Sequence, residues 1–258
     1  MDIRGFVERL SRGVVLRRRL PARFGRLPIY VTPEASLRYW SAMSRVDPVL
    51  FRMAEDLVKP NSVVWDVGAN VGLFSFCASA LAGRSGFVLA VEPDLWLAHL
   101  IARSSDQLKS HRFVCSDVKS LCVSISCSNR ISELEIAERA RASNHLIDAV
   151  GSTQADGSRN VQLSASVTLD FLLDYFPAPS VLKIDVETHE AEVLKGAERL
   201  LREVRPTIWC EVSHENSEEV TDLLQRAKYD LYSAESQPHR RIDRAWFQTL
   251  AIPNGAQK

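Results

Sequence analysis

No stretch of this sequence approaches the roughly 20 apolar residues that a membrane-spanning helix requires. The N-terminus has no apolar core long enough for a signal peptide. Charge imbalance is missing too: 32 Lys and Arg stand against 32 Asp and Glu, a formal net charge of zero. That removes any global pull toward nucleic acid or an anionic membrane, and no basic aromatic groove is legible. The five cysteines, Cys77, Cys115, Cys122, Cys127 and Cys210, form no C-x-x-C pair and no zinc-ligand spacing. Their odd number and scatter predict reduced thiols in a cytoplasmic protein. Internal repeats and low-complexity tracts are absent as well. What remains is 258 residues, 46% hydrophobic and 25% charged, which is ordinary for a globular protein. That length suits one large α/β domain, or one domain with a small appendage.

The order of elements follows from periodicity. Residues 1–20 read as a basic amphipathic helix, with Phe6, Leu10, Val14 and Leu20 apolar and Arg17, Arg18 and Arg19 clustered. We read it as a solvated helix packed on the domain, with a membrane surface as the other option. "LPIYVT" (27–32) predicts a short strand and residues 34–57 a helix, so 1–57 forms an N-terminal helical or lid segment. Strand and helix then alternate. "SVVWDV", "GFVLAVEP" (86–93) and "HRFVCSDV" (111–118) are the first three strands, with helices between them. This spacing implies a parallel sheet with helices on both faces. An insertion over about 119–168 holds "LCVSISCS" (121–128) and "VQLSASVT" (161–168), expected to pair as a hairpin around a mobile loop at 151–160. "TLDFLLDYF" predicts a helix, "SVLKIDVE" (180–187) a fourth central strand, and "THEAEVLKGAERLL" the next helix. "PTIWCEVS" (206–213) is the fifth strand, followed by the helix "SEEVTDLLQRA". "YDLYSAE" and "WFQTLAIP" close the chain as a hairpin, which makes the seven-stranded sheet mixed.

The chemistry concentrates in "VVWDVGANVGLFSF" (63–76), an apolar run that meets Asp66 and then passes Gly68, Asn70 and Gly72 into a helix. In an open parallel sheet, ligands bind at the carboxyl ends of strands, beside the switch in strand order. We read Gly68 as permitting a tight turn and Gly72 as letting the helix approach the ligand. The helix N-terminus offers free amides to an anionic group. The spacing G-x-N-x-G is not the G-x-G-x-x-G on which a pyrophosphate lies. Glu92 ends the second strand about 20 residues after Gly72, where an acid can accept hydrogen bonds from two ribose hydroxyls. Asp117 ends the predicted third strand and is a candidate contact to an adenine amine. Asp66, Gly68, Asn70, Gly72, Glu92 and Asp117 are thus the candidate cofactor-binding residues. They describe a nucleoside without a diphosphate, and S-adenosylmethionine is one. On this reading Gly68→Val leaves a folded protein that no longer binds, and Glu92→Ala leaves stability untouched.

At these residues the sequence resembles the FkbM family of S-adenosylmethionine-dependent methyltransferases. The resemblance rests on "WDVGANVGLFS", "VEP", "TLDFLL", "LKIDVETHEAEVLKGAERLL" and "RPTIWCEV", in order over about 58–213, with "TLAIP" near the end. It implies a class I methyltransferase fold, Rossmann-like, over 58–258. It also implies S-adenosylmethionine as cofactor and O-methylation of a hydroxyl on a sugar, glycan or secondary metabolite. The family usually has glycine after "DVE"; this chain has Thr188, followed by His189.

An alcohol is a weak nucleophile, so a base within hydrogen-bond reach helps remove its proton. Asp185, Glu187 and His189 are the candidates, and His189 has the side chain whose pKa suits the task. Lys183 alternates in phase with Asp185, and a buried lysine must be paired, so we read it as a structural ion pair. Asp185, Glu187, Glu211 and His214 share one rim, but their spacing matches no ligand signature and no metal is expected. The expected partner is a small-molecule or glycan acceptor, with nucleic acid disfavoured and a homo-oligomer left open. Two other classes share the fold. A nicotinamide-dependent oxidoreductase is opposed by the missing G-x-G-x-x-G, and a non-catalytic nucleoside-binding protein by the retained Asp66, Gly68, Gly72 and Glu92.

Overall fold

The computed structural model describes residues 10–109, 114–137, 145–146 and 158–255. Its centre is an eight-stranded sheet. In chain order the strands are β3 (Val63–Val67), β4 (Phe87–Val91), β5 (Asp117–Leu121), β10 (Val181–Ile184), β11 (Thr207–Glu211), β12 (Tyr229–Ser233), β13 (Arg240–Arg241) and β14 (Gln248–Pro253). Across the sheet they run β13-β12-β14-β11-β10-β3-β4-β5. β3, β4, β5, β10 and β11 are mutually parallel, and β14 inserts antiparallel between β11 and β12. The central strands bury both faces, so they read as continuous apolar runs rather than alternations. β3 continues outward to β4 and β5, whereas β10 lies on its other side. The switch in strand order therefore falls between β3 and β10, which is where such sheets form a crevice.

The helices α1 (Pro48–Leu57), α2 (Leu73–Ala82), α3 (Leu95–Leu108), α4 (Leu169–Leu172), α5 (Glu190–Lys195) and α6 (Ser217–Arg226) cover the sheet. Two buried clusters lie on its opposite faces. Phe74, Phe76 and Leu100 belong to one, and Leu194, Leu200 and Leu224 to the other.

The N-terminal segment departs from the sequence reading. Residues 16–19 form a strand, β1 (Leu16–Arg19), paired antiparallel with β2 (Pro28–Val31). Exposure along it alternates with period two, Arg17 and Arg19 facing out, so the arginines follow a strand rather than a helix. Residues 1–9 lie outside the described residues. The helix expected over 34–57 is broken: single turns at Leu37–Trp40 and Met43–Arg45 precede α1. α1 begins where Asp47 accepts the Leu50 N–H at 2.9 Å and Pro48 takes the first helical position, the preferred chemistry for a start. Leu20, Phe24, Ile29, Phe51 and Met53 share one buried cluster with Val64, Phe74 and Phe76.

Of the third strand expected over 111–118, residues 111–113 lie outside the described residues, and β5 begins at Asp117, paired with Phe87. The insertion is a sheet of its own, β6 (Ser124–Ile125), β7 (Arg130–Ala137), β8 (His145–Leu146) and β9 (Ser158–Val167), in the order β6-β9-β7-β8. The expected hairpin is corrected: β6 runs parallel to β9, and the long antiparallel partner of β9 is β7. β7 carries its own period-two signal, with Ser132, Leu134 and Ile136 turned inward. Of the expected mobile loop, 151–157 lies outside the described residues and 158–160 belongs to β9. The helix expected over 188–201 is shorter, ending at Lys195 before a wide turn at Leu200–Val204.

The shared core makes a prediction. Phe51 is fully buried, with its ring 5.5 Å from that of Phe24. Phe51→Ala should cost about 3–5 kcal/mol in chemical denaturation and keep a single transition. A loss below about 1 kcal/mol would mean that residues 10–57 fold apart from the sheet.

Candidate active site

The site grows from the end of β3. Val67 leads into Gly68, whose N–H donates to the Val91 carbonyl at 3.0 Å, as does that of Ala69. Gly68 (φ 76°), Asn70 (φ 56°) and Gly72 (φ 82°) are all left-handed. A Cβ on Gly68 would lie 1.7 Å from the Asp185 carbonyl oxygen. Glycine is therefore required there by the passage of β10's end. A side chain at Gly68 would drive two strand ends apart, so the expectation that Gly68→Val leaves the fold intact is corrected.

Beneath this turn sits Lys183, 4% exposed. Its Nζ donates to the Gly68 carbonyl at 3.2 Å and lies 3.2 Å from Asp66 Oδ1 and 3.1 Å from Asp185 Oδ2. Burial opposes its charge, but the carboxylates of Asp185 and Asp66 outweigh burial and hold the lysine pKa above its ordinary value. Asp66 is fully buried and its Oδ2 accepts from Ser75 Oγ at 2.6 Å. It braces the turn from below and does not line the cavity, contrary to its reading as a ligand contact.

Glu92 leaves β4 at the same edge, 6% exposed. One oxygen accepts the Asn70 N–H at 2.8 Å and the other the Asp94 N–H at 2.9 Å. Burial pushes its pKa up to about 8 against the pull of these two bonds. Each oxygen takes one bond here, so each keeps acceptor capacity for a donor in the cavity. The acid thus ties the turn to the start of α3 as well as facing the site, which corrects the view that it contributes little to the fold.

The cavity at this edge holds about 260 Å³, close to the lower end for a small-molecule site. Gly68 and Asn70 form its middle, and Glu92 and Pro93 one end. Val123, Ile125 and Leu134, all from the insertion, make an apolar wall. Asp185, Glu187, His189 and Glu211 gather at the other end. A second cavity of about 140 Å³ shares Gly68, Asn70 and Asp185 and is walled by Ser36, Arg38 and Asp47 of the N-terminal segment. His189 is 4% exposed, with Nε2 3.2 Å from Ser126 Oγ, so it is not the surface histidine that its place near a helix start suggests. Glu187 is exposed to solvent while lining the cavity. Desolvation first, then the charges of Asp185, Glu211 and Glu190, push it up to about 8. Glu211 is pushed up to about 7, by burial first and then by Asp185. Gln248 Nε2 holds it at 2.8 Å.

Asp117 does not join the site. It is the first residue of β5, exposed, and pairs with Phe87 at the amino end of β4. Val123 and Ile125, read from the sequence as part of a hairpin arm, and Leu134 of β7 take the side of the cavity expected for Asp117. Among the described residues, no group of three or more His, Cys, Asp and Glu could hold a metal ion. His214 instead packs edge-on against Trp246, ring centres 5.8 Å apart.

The pattern of the methyltransferase FkbM domain matches residues 66–231. The chain belongs to the FkbM methyltransferase family. It carries a class I methyltransferase domain whose methyl donor is S-adenosylmethionine. It is 28% identical over 179 residues to the hexuronic acid methyltransferase AglP of Haloferax volcanii, covering 69% of this chain and 68% of that one. Solved structures similar to it include a methyltransferase FkbM from Methylobacillus flagellatus, with TM-score 0.49 and 15% identity. That match covers 78% of this chain and 50% of the solved one, so this chain spans about half its length. Another is the fibrillarin of Aeropyrum pernix with natively bound S-adenosylmethionine, with TM-score 0.43, 12% identity and coverage of 85% and 73%. The spare acceptor capacity of Glu92 and the apolar wall beside it suit a ribose and a flat base. The residues present therefore fit the donor's nucleoside half.

Two predictions follow from these contacts. Glu92→Ala should weaken both S-adenosylmethionine and S-adenosylhomocysteine roughly 30- to 10³-fold, since both carry the same ribose. It should also lower stability by about 1–3 kcal/mol, because the Asn70 and Asp94 amides lose their acceptor. Titration calorimetry and thermal melts check both, and binding within threefold of wild type would remove the ribose assignment. Lys183→Met should cost about 3–5 kcal/mol by leaving Asp66 buried without its cation. Adding Asp66→Asn should recover part of that loss in the same melts, and no recovery would mean that the charge is not the cause.

Proposed function

We propose that this protein transfers the methyl group of S-adenosylmethionine to a hydroxyl oxygen of a sugar or glycan, with uronic acid units as the leading acceptor. One observation carries the reading: a single cavity joins Glu92, suited to a ribose, to a cluster of proton acceptors at Asp185, Glu187, His189 and Glu211. S-adenosylmethionine supplies an electrophilic methyl on a good leaving group. The chain must hold the acceptor oxygen in line and take its proton.

Glu187 is the proton acceptor we assign. Asp185 is paired with Lys183 at 3.1 Å. Glu211 is committed to Gln248. Among the described residues Glu187 has no such partner, and its pKa of about 8 lies near the working range of a general base. His189, anchored at Ser126, shapes the wall beside it. With Glu187 and Glu211 raised to about 8 and about 7, the wall carries less negative charge near neutral pH than free carboxylates would. That eases entry of an acidic sugar, and the likeness to a hexuronic acid methyltransferase supports the same acceptor class. The free cysteines Cys77, Cys115 and Cys210 are buried, which suits the reducing cytoplasm we assign.

The test is methyl transfer from labelled S-adenosylmethionine to uronic acid, neutral and amino sugar glycosides. Label should appear on a hydroxyl of the uronic acid set; label only on nucleic acid or protein would overturn the reading. With an acceptor in hand, the rate should rise with pH along a limb at or below about 8, because a base acts only when deprotonated. Glu187→Gln should remove that limb and lower turnover roughly 10²-fold or more. His189→Ala should cost less than about tenfold. A large loss at His189 with the limb intact in Glu187→Gln would reverse the two roles.

A further inference from the structure

The turn that carries Glu187 is strained. Glu187 has φ 30° and Thr188 has φ 66°. A β-branched residue is a true outlier in the left-handed region, and such strain persists only where the surroundings over-determine it. Among the described residues, the Thr188 Oγ1 is buried without a hydrogen-bond partner. The side chain therefore does nothing to hold the turn.

Two residues outside the turn do hold it. Glu190 is 2% exposed. Its Oε1 accepts the Thr188 N–H at 3.0 Å, and its Oε2 accepts from Asn216 Nδ2 at 2.7 Å and Ser213 Oγ at 3.1 Å. Asn216 Nδ2 also donates to the Thr188 carbonyl at 2.8 Å. Both backbone polar groups of Thr188 are thus gripped, one by each partner, and the partners grip each other. The grip spans α5 and the loop before α6, so it fastens the end of β10 to the element after β11.

We infer that Glu190 and Asn216 are positioning residues, which hold the Glu187–Thr188 turn left-handed and so keep the Glu187 carboxyl in the cavity. This rests on the role given to Glu187 above, and adds that the place of that carboxyl on the cavity wall is imposed from behind by the clamp. The groups that face Glu187 are Asp185, Glu190 and Glu211, with His189 on the same cavity wall. If the clamp opens, the carboxyl leaves the cavity wall and these charges, and its pKa falls toward the ordinary 4.5.

The test needs neither acceptor nor methyl donor, so it stands apart from the identity of the substrate. Glutamate carboxyls are labelled with 13C, the Glu187 signal is assigned with Glu187→Gln, and its pH titration is followed. In wild type it should titrate near 8. Asn216→Ala leaves every facing charge in place and should still drop the midpoint toward 4.5. Adding Thr188→Gly should restore the high midpoint, because glycine adopts the turn without the clamp. Thr188→Gly alone should keep the midpoint and raise Tm by roughly 2–4 °C, and it decides the matter if Asn216→Ala does not fold. An unchanged midpoint in Asn216→Ala, a failure of glycine to rescue it, or a lower Tm for Thr188→Gly alone would each overturn the clamp.

Discussion

The site depends on one buried cation. Lys183 lies where β3 and β10 diverge and binds the Gly68 carbonyl, Asp66 and Asp185 at once. A lysine is expensive to bury unless it is paired and hydrogen-bonded, and here its partners are the pieces that must be held together. Asp66 belongs to β3, Gly68 to the turn after it and Asp185 to the end of β10. The crevice at the strand-order switch is the usual place for a ligand. In this chain it is also where electrostatics would push two carboxylates apart if the lysine were absent.

From that anchor the two ends of the cavity acquire different chemistry. The Glu92 end is defined by backbone amides that use part of the carboxylate and leave the rest for a ligand. The opposite end crowds Asp185, Glu187 and Glu211 around one volume, where like charges and burial raise the pKa of two of them. Perturbed carboxyls of this kind mark functional sites more often than structural ones. The strained turn at Glu187 and Thr188 is a further sign, since such backbone is held at the expense of stability.

The central sheet was legible because its signals are local. Apolar runs ending in Asp66, Glu92 and Asp185 announce buried strands with chemistry at their ends, and each residue indeed stands at such an end. Edge and inserted strands were less legible. β5 is an edge strand with exposed Asp117 and Lys119, so its apolar content is too low to set its start. β7 alternates correctly, but its partner β9 is far along the chain, and no local feature says which arms pair.

By itself the sequence determined the fold class, the parallel core, the glycine turn and the acids at the strand ends, because backbone freedom and hydrophobic period are properties of short stretches. The tertiary structure alone decided what each acid does. Asp66 lies inside β3, paired with Ala90, and is sealed against Lys183 and Ser75, whereas Glu92 stands one residue beyond β4 and faces the cavity. Gly68 is glycine because Asp185 from a strand more than a hundred residues away passes over it. Asp117 drops out and the insertion's Val123 and Ile125 come in. The physical reason is the same throughout: burial and charge pairing depend on which distant groups arrive, and that is set only when the sheet closes.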